Sequence, residues 1–195
     1  MKGKAKIKIS LLILSVLIIL VLTDTKYFPA LLLSIAIHES GHILIAKMRR
    51  IEICEFKLGI FGAALVPQGT LISYADEIAL CLGGPVSNFL TASLGMLLFK
   101  LPSTSLFIQA SFALGTLNLF PIIGFDGGRI LSAILEKHFS QNLSFLIMKT
   151  ISFIFLFSLW VFSLYIMMRS GASLGIFIFS LSMFARIFLQ EKIPK

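Results

Sequence analysis

Apolar residues run through this chain in long, nearly unbroken stretches, separated by short polar or glycine- and proline-bearing segments. Six stretches read as membrane spans, at 9–22, 28–47, 78–99, 104–121, 145–168 and 172–190, several of them near the ~20 apolar residues that cross a bilayer. The first, ISLLILSVLIILVL, is short and follows the basic MKGKAKIK, a pairing that a signal peptide shares. The next segment, TDTKYFPA, offers no clear small-x-small cleavage site, and Lys6 and Lys8 can lengthen the span by snorkelling, so an uncleaved first helix is expected. Between the second and third spans, IEICEFKLGIFGAALVPQGTLISYADE is too polar and glycine-rich for a membrane helix. Ile51, Ile53, Leu58 and Ile60 partly alternate there with Glu52, Lys57 and Gly59, which fits a short β-hairpin or an interfacial loop, with a solvated connector as the alternative. Pro121 tends to break the fourth span, and Gly124, Gly127 and Gly128 just beyond it allow a tight turn. The expected fold is an all-α membrane protein of six transmembrane helices, with a broken fourth helix and a short hairpin after the second.

Composition supports this reading. Hydrophobic residues make up 57% of the 195 residues and charged residues 13%, against roughly a quarter charged in soluble globules. So little sequence lies between the spans that one membrane-embedded domain over 1–195 is expected, with no separate soluble regulatory domain. The formal charge of +8 would suit nucleic acid only if the basic residues formed a patch. They sort by side instead: with the N-terminus in the cytoplasm, the outside loops hold only Lys26, Lys100 and Arg169, leaving 14 of the 17 basic residues inside. That asymmetry orients the chain as a multi-pass protein of the cell membrane with both termini cytoplasmic, and it sets nucleic acid aside as a partner in favour of the lipid bilayer. Cys54 and Cys81 have no CxxC or Cys/His spacing and read as reduced structural residues rather than a disulfide.

The chemistry is concentrated in SIAIHESGHILIAK, residues 34–47. In a helix, positions i and i+4 share a face, so His38 and His42 can offer two imidazole nitrogens to one ion, with Glu39 beside the first. This is HExxH, in which two histidines hold zinc and the glutamate takes a proton from the attacking water. Only three histidines occur in the chain, and ionisable residues inside a span are costly enough to imply function. Counting back from Lys47 at ~1.5 Å per residue, His42 lies roughly 8 Å and His38 roughly 14 Å inside the helix end, reachable from the cytoplasm. Catalytic zinc commonly takes a third protein ligand. His138 sits in the polar LEKHFSQN, where a solvated role fits better. Asp126, in NLFPIIGFDGGRI, is the stronger candidate, because irregular backbone at membrane depth is tolerated only where protein buries it or water reaches it.

HESGH in an early span and NLFPIIGFDGG in a later one resemble the two signatures of the site-2 protease family, the zinc intramembrane metalloproteases. LGGPVSNF, residues 82–89, is similar to the Gly-Pro-x-x-Asn stretch that opens the family's third core helix; an incidental role for Asn88 is an equal reading. The six-span layout, the lack of an inserted PDZ-like module and the GGRIL continuation look most similar to the sporulation branch, the stage IV protease that activates a membrane-associated pro-sigma factor. The resemblance implies one zinc ion held by His38, His42 and Asp126, Glu39 as the base, and Asn118 positioning substrate or the oxyanion. It implies a membrane-associated protein substrate and regulatory partners in the membrane. Two departures stand out. Relatives of that branch commonly carry proline shortly before the aspartate, where this chain has Gly124, so a more mobile loop is expected. They also often append a cytoplasmic nucleotide-binding CBS domain, whereas this sequence stops at Lys195. The competing readings are a membrane metal-ion transporter, since polar residues in broken helices also line ion pathways, and a catalytically silent membrane scaffold.

Overall fold

The computed structural model describes residues 6–9, 27–51, 53–59, 62–67, 72–98, 102–170 and 184. Strand β1 (Lys6–Ile9) is followed by helix α1 (Tyr27–Met48), strands β2 (Ile53–Gly59) and β3 (Gly62–Pro67), and helices α2 (Tyr74–Leu98), α3 (Pro102–Asn118), α4 (Asp126–His138) and α5 (Gln141–Ser170). The expected first and sixth spans lie outside the described residues apart from Ile9, which ends β1, and Phe184. Among the described residues three helices, α1, α2 and α5, are long and apolar enough to cross a membrane. Their outward faces carry large apolar side chains such as Leu33, Leu44, Leu90, Leu97, Phe157 and Phe162, a surface that suits lipid. The small sheet has the order β1-β2-β3: β1 runs parallel to β2 with Lys6 opposite Glu55, and β2 runs antiparallel to β3, closing at the pair Gly59 and Gly62.

The helices begin where local chemistry starts them. Ser73 precedes α2 and exchanges hydrogen bonds with Asp76, its Oγ accepting from the Asp76 N–H at 3.1 Å and donating to Oδ2 at 2.7 Å. This cap places the start of α2 four residues before the apolar run that marks it in the sequence. α1 and α2 cross at Gly41 and Gly83, where a Cβ on either residue would collide with the other's backbone carbonyl. Ser87 secures the crossing by donating to Ile37 O at 3.0 Å. Pro85 lies inside α2, where its missing N–H leaves the ladder short of one bond. Across the bundle, buried Ser34 of α1 meets buried Ser111 of α3, with their hydroxyls 2.9 Å apart.

The chain breaks between α3 and α4. α3 ends at Asn118, three residues before Pro121, and the peptide then turns twice: Ile122 N–H donates to Phe120 O at 2.8 Å, and Phe125 N–H to Ile122 O at 3.0 Å. Gly124 takes φ 103°, a left-handed value at the third position of the second turn that a proline could not adopt. The Ile123 N–H is received by the fully buried hydroxyl of Ser152 on α5, at 2.9 Å. Ile122 and Phe125 pack with Leu156 of α5 to anchor the break. Gly127 and Gly128 open α4 pressed so closely on the carbonyls of Leu119, Phe120 and Ile122 that no side chain fits there.

Candidate metal centre

This break determines where Asp126 points. Asp126 is the first residue of α4, and no side chain caps that helix at Phe125. Its carboxylate reaches back to α1, with Oδ2 3.1 Å from His38 Nε2 and 3.3 Å from His42 Nε2. The two histidine Nε2 atoms are themselves 3.1 Å apart, with the rings edge to face. All three residues are buried, at 4%, 4% and 8% exposure, so water does not screen them from one another. The aspartate also sits at a helix N-terminus, where the peptide dipoles favour negative charge. Arg129, one turn further along α4, pairs with Glu77 of α2 at 3.2 Å and keeps the helix seated.

The remaining ring nitrogens are also engaged. His42 Nδ1 lies 2.8 Å from the carbonyl of Leu80, an acceptor only, so His42 carries a proton on Nδ1, and in the neutral ring the Nε2 lone pair turns inward. His38 Nδ1 faces the carboxamide of Asn88, which is fully buried. Gly84 forms the floor of the cluster: a Cβ there would lie 2.6 Å from His38 Nε2 and closer still to His42 Nε2.

These donors suit a metal ion. Four ligands at the ~2.0–2.1 Å typical of zinc with imidazole or carboxylate stand about 3.3 Å apart on a tetrahedron. The three edges between His38, His42 and Asp126 measure 3.1, 3.1 and 3.3 Å, so one cation can meet all three. Two imidazoles and a carboxylate, without sulfur, are a donor set natural to zinc.

Of the residues singled out in the sequence, the structure brings together His38, His42 and Asp126. Glu39 is half-buried on α1, next to His38 in the chain. Asn118 is half-buried at the end of α3, and its Nδ2 donates to Leu114 O at 3.0 Å, one turn back in its own helix. His138 is exposed at the far end of α4, roughly 18 Å from Asp126 by helix rise. Cys81 is a free, buried thiol. Gly84 and Asn88 lie against the histidines; the Gly-Pro-x-x-Asn stretch was the sequence signal for them, but which groups they touch depends on how α2 packs on α1.

Comparisons with known proteins point the same way. The family model of Peptidase family M50 matches residues 101–162, which include the break and Asp126. A curated zinc metalloprotease of Methanocaldococcus jannaschii is 29% identical over 121 residues, covering 57% of this chain and 35% of the relative, so the chain spans about a third of that protein's length. The solved site-2 protease from the same organism has this fold, with a TM-score of 0.73 at 22% identity over 97% of this chain and 92% of its own. The family match covers about a third of this chain, and the solved structure, at 22% identity, shows a shared fold.

Proposed function

We propose that the chain is a zinc-dependent intramembrane endopeptidase of the site-2 type that cuts a membrane-associated protein near the cytoplasmic face. The observation that carries this reading is the convergence of His38, His42 and Asp126, 88 residues apart in the chain, into one buried triangle with edges of 3.1 to 3.3 Å. His38 and His42 would bind through Nε2 and Asp126 through its carboxylate. When bound, zinc supplies a Lewis acid that polarises a peptide carbonyl and lowers the pKa of water toward ~7. Glu39, beside His38, takes the proton of the attacking water and returns it to the departing amine, so that one carboxylate serves both halves of the hydrolysis. The bare backbone at Gly84 lets both imidazoles sit directly against α2. Asn118 orients the substrate or the developing oxyanion.

A helical substrate hides its carbonyls in hydrogen bonds and must unwind before it is cut. In the order β1-β2-β3 the strand β3 is an edge among the described residues, and pairing of an extended substrate segment with it would supply that conformation. The bias of basic residues orients the chain with both termini in the cytoplasm and the site open to that side. Resemblance to the sporulation branch puts a pro-sigma factor first among candidate substrates, ahead of other membrane-tethered regulators.

The test is co-expression with candidate membrane-tethered transcription factors, the pro-sigma factor first, comparing wild type with Glu39→Gln. The proposal expects a shortened product from wild type only, with zinc retained in the variant. Cleavage that survives Glu39→Gln would contradict it. So would zinc flux through proteoliposomes without proteolysis in either form, which is the behaviour of a transporter.

A further inference from the structure

Asn88 stands on α2 with its side chain completely excluded from solvent. Its carboxamide nitrogen Nδ2 lies 3.2 Å from Nδ1 of His38, the ring nitrogen on the side away from Asp126 and His42. The Oδ1 end of that carboxamide has no hydrogen-bond partner among the described residues. A half-satisfied amide is expensive in apolar surroundings, and a leucine of similar size would fill the same space without that cost. Packing therefore does not explain the residue, but its contact with His38 does.

A neutral imidazole has one N–H and one lone pair. For His38 to offer its Nε2 lone pair to a cation shared with His42 and Asp126, its proton must be on Nδ1, and the group facing Nδ1 must accept it. A carboxamide can do this, because a half-turn about the Cβ–Cγ bond exchanges its nitrogen and oxygen ends without moving the rest of the residue. Among the described residues no second partner opposes that turn. His42 has the corresponding arrangement through Leu80 O, at 2.8 Å from its Nδ1.

We propose that Asn88 is the positioning residue for His38: its Oδ1 accepts the Nδ1 proton, fixing the ring's orientation and the tautomer that leaves Nε2 free to bind metal. The inference rests on the metal reading of the cluster. It gives the two histidines different outer partners: a backbone carbonyl that only accepts for His42, and a side chain that a substitution can change for His38. A substitution can therefore reach His38 alone.

The test measures zinc affinity of the purified full-length chain in detergent micelles, by competition with a chromophoric chelator, for wild type, Asn88→Leu and Asn88→Asp. Thermal unfolding checks that each variant is folded. Leucine neither accepts nor donates, and loss of such an outer partner weakens zinc binding by about 10- to 100-fold. Aspartate only accepts, so Asn88→Asp is expected to bind zinc at least as tightly as wild type, and its cobalt-substituted form to keep the visible absorption of wild type. Zinc affinity of Asn88→Leu equal to wild type overturns the proposal. So does Asn88→Asp weakened as far as Asn88→Leu, which is what a donated amide bond or a purely structural role would give. Should Asn88→Leu not fold, Asn88→Asp decides alone: zinc affinity at or above wild type supports the proposal, and a loss of about 10-fold or more overturns it. Failure of the wild-type chain to bind zinc would overturn the metal reading itself, whereas wild-type binding with either adverse pattern removes only the role of Asn88.

Discussion

Adding a single methyl group at Gly84 should disable the centre while leaving the fold standing. A Cβ there would approach His38 Nε2 to 2.6 Å, and His42 Nε2 more closely. Ordinary contact between such atoms is about 3.5 Å, so one or both rings must give way by about 1 Å. Metal–ligand distances tolerate only about 0.2 Å. Neither ring has an easy retreat, because His42 Nδ1 is tied to Leu80 O at 2.8 Å and His38 Nδ1 faces Asn88 at 3.2 Å. Overpacking of this kind costs about 1–3 kcal/mol, equivalent to roughly a 5- to 150-fold loss of zinc affinity at about 1.4 kcal/mol per decade. Cleavage should fall by at least about 100-fold, the usual penalty for misplacing catalytic groups by ~1 Å. Chelator competition and a reporter-cleavage assay on Gly84→Ala measure both effects. Val86→Ala, at a half-exposed position on the same helix, is the control expected to match wild type. Zinc affinity and cleavage at wild-type levels in Gly84→Ala would refute the argument that the histidines press on bare backbone there.

Three further outcomes follow from the geometry. Glu39→Gln should bind zinc like wild type and lose cleavage by about 10²- to 10⁴-fold, the range for removing a general base, as read by metal analysis beside the reporter assay. Asp126→Asn should weaken zinc binding measured by chelator competition, because it takes the only negative charge from the triangle around Nε2 of His38 and His42. Ser152→Ala should lower stability by about 1–3 kcal/mol in thermal unfolding, because it strands the Ile123 N–H at the turn that carries Asp126. A loss of zinc affinity in that variant as well would show that the turn positions the carboxylate.

The parts of the site visible in sequence are those encoded locally. His38 and His42 share a face because they are four apart on a helix, which needs no tertiary information. Asp126 was reachable because Pro121 and the glycines mark a break at a depth where irregular backbone needs a reason. Partners joined only by packing were not legible in the same way. Nothing in the spacing of Ser152 ties it to Ile123, and Asn88 in LGGPVSNF reads equally well as incidental until α2 is laid on α1. Helix starts were displaced for a related reason. α2 begins at Tyr74 and α5 at Gln141, each four residues before the apolar run, because polar first turns are invisible to hydropathy. The amphipathic α4 was hidden in the same way by its charged residues Arg129, Glu136 and Lys137. The strand β1 reads in sequence as the basic flank of an uncleaved first helix, since its partner β2 lies 49 positions further along the chain, at Glu55 opposite Lys6. At the Gly124 turn the structure shows two hydrogen bonds, Phe125 N–H to Ile122 O and Ile123 N–H to Ser152 Oγ, where the sequence suggested greater mobility.

The central claim is that two imidazoles and one carboxylate hold a single zinc ion inside the helix bundle. X-ray absorption at the zinc edge of the purified, zinc-loaded chain tests it most directly. The account predicts one zinc per chain, with nitrogen and oxygen ligands at ~2.0–2.1 Å and outer-ring scattering from two histidines. A chain that binds no zinc, or a ligand shell containing sulfur at ~2.3 Å, would contradict it.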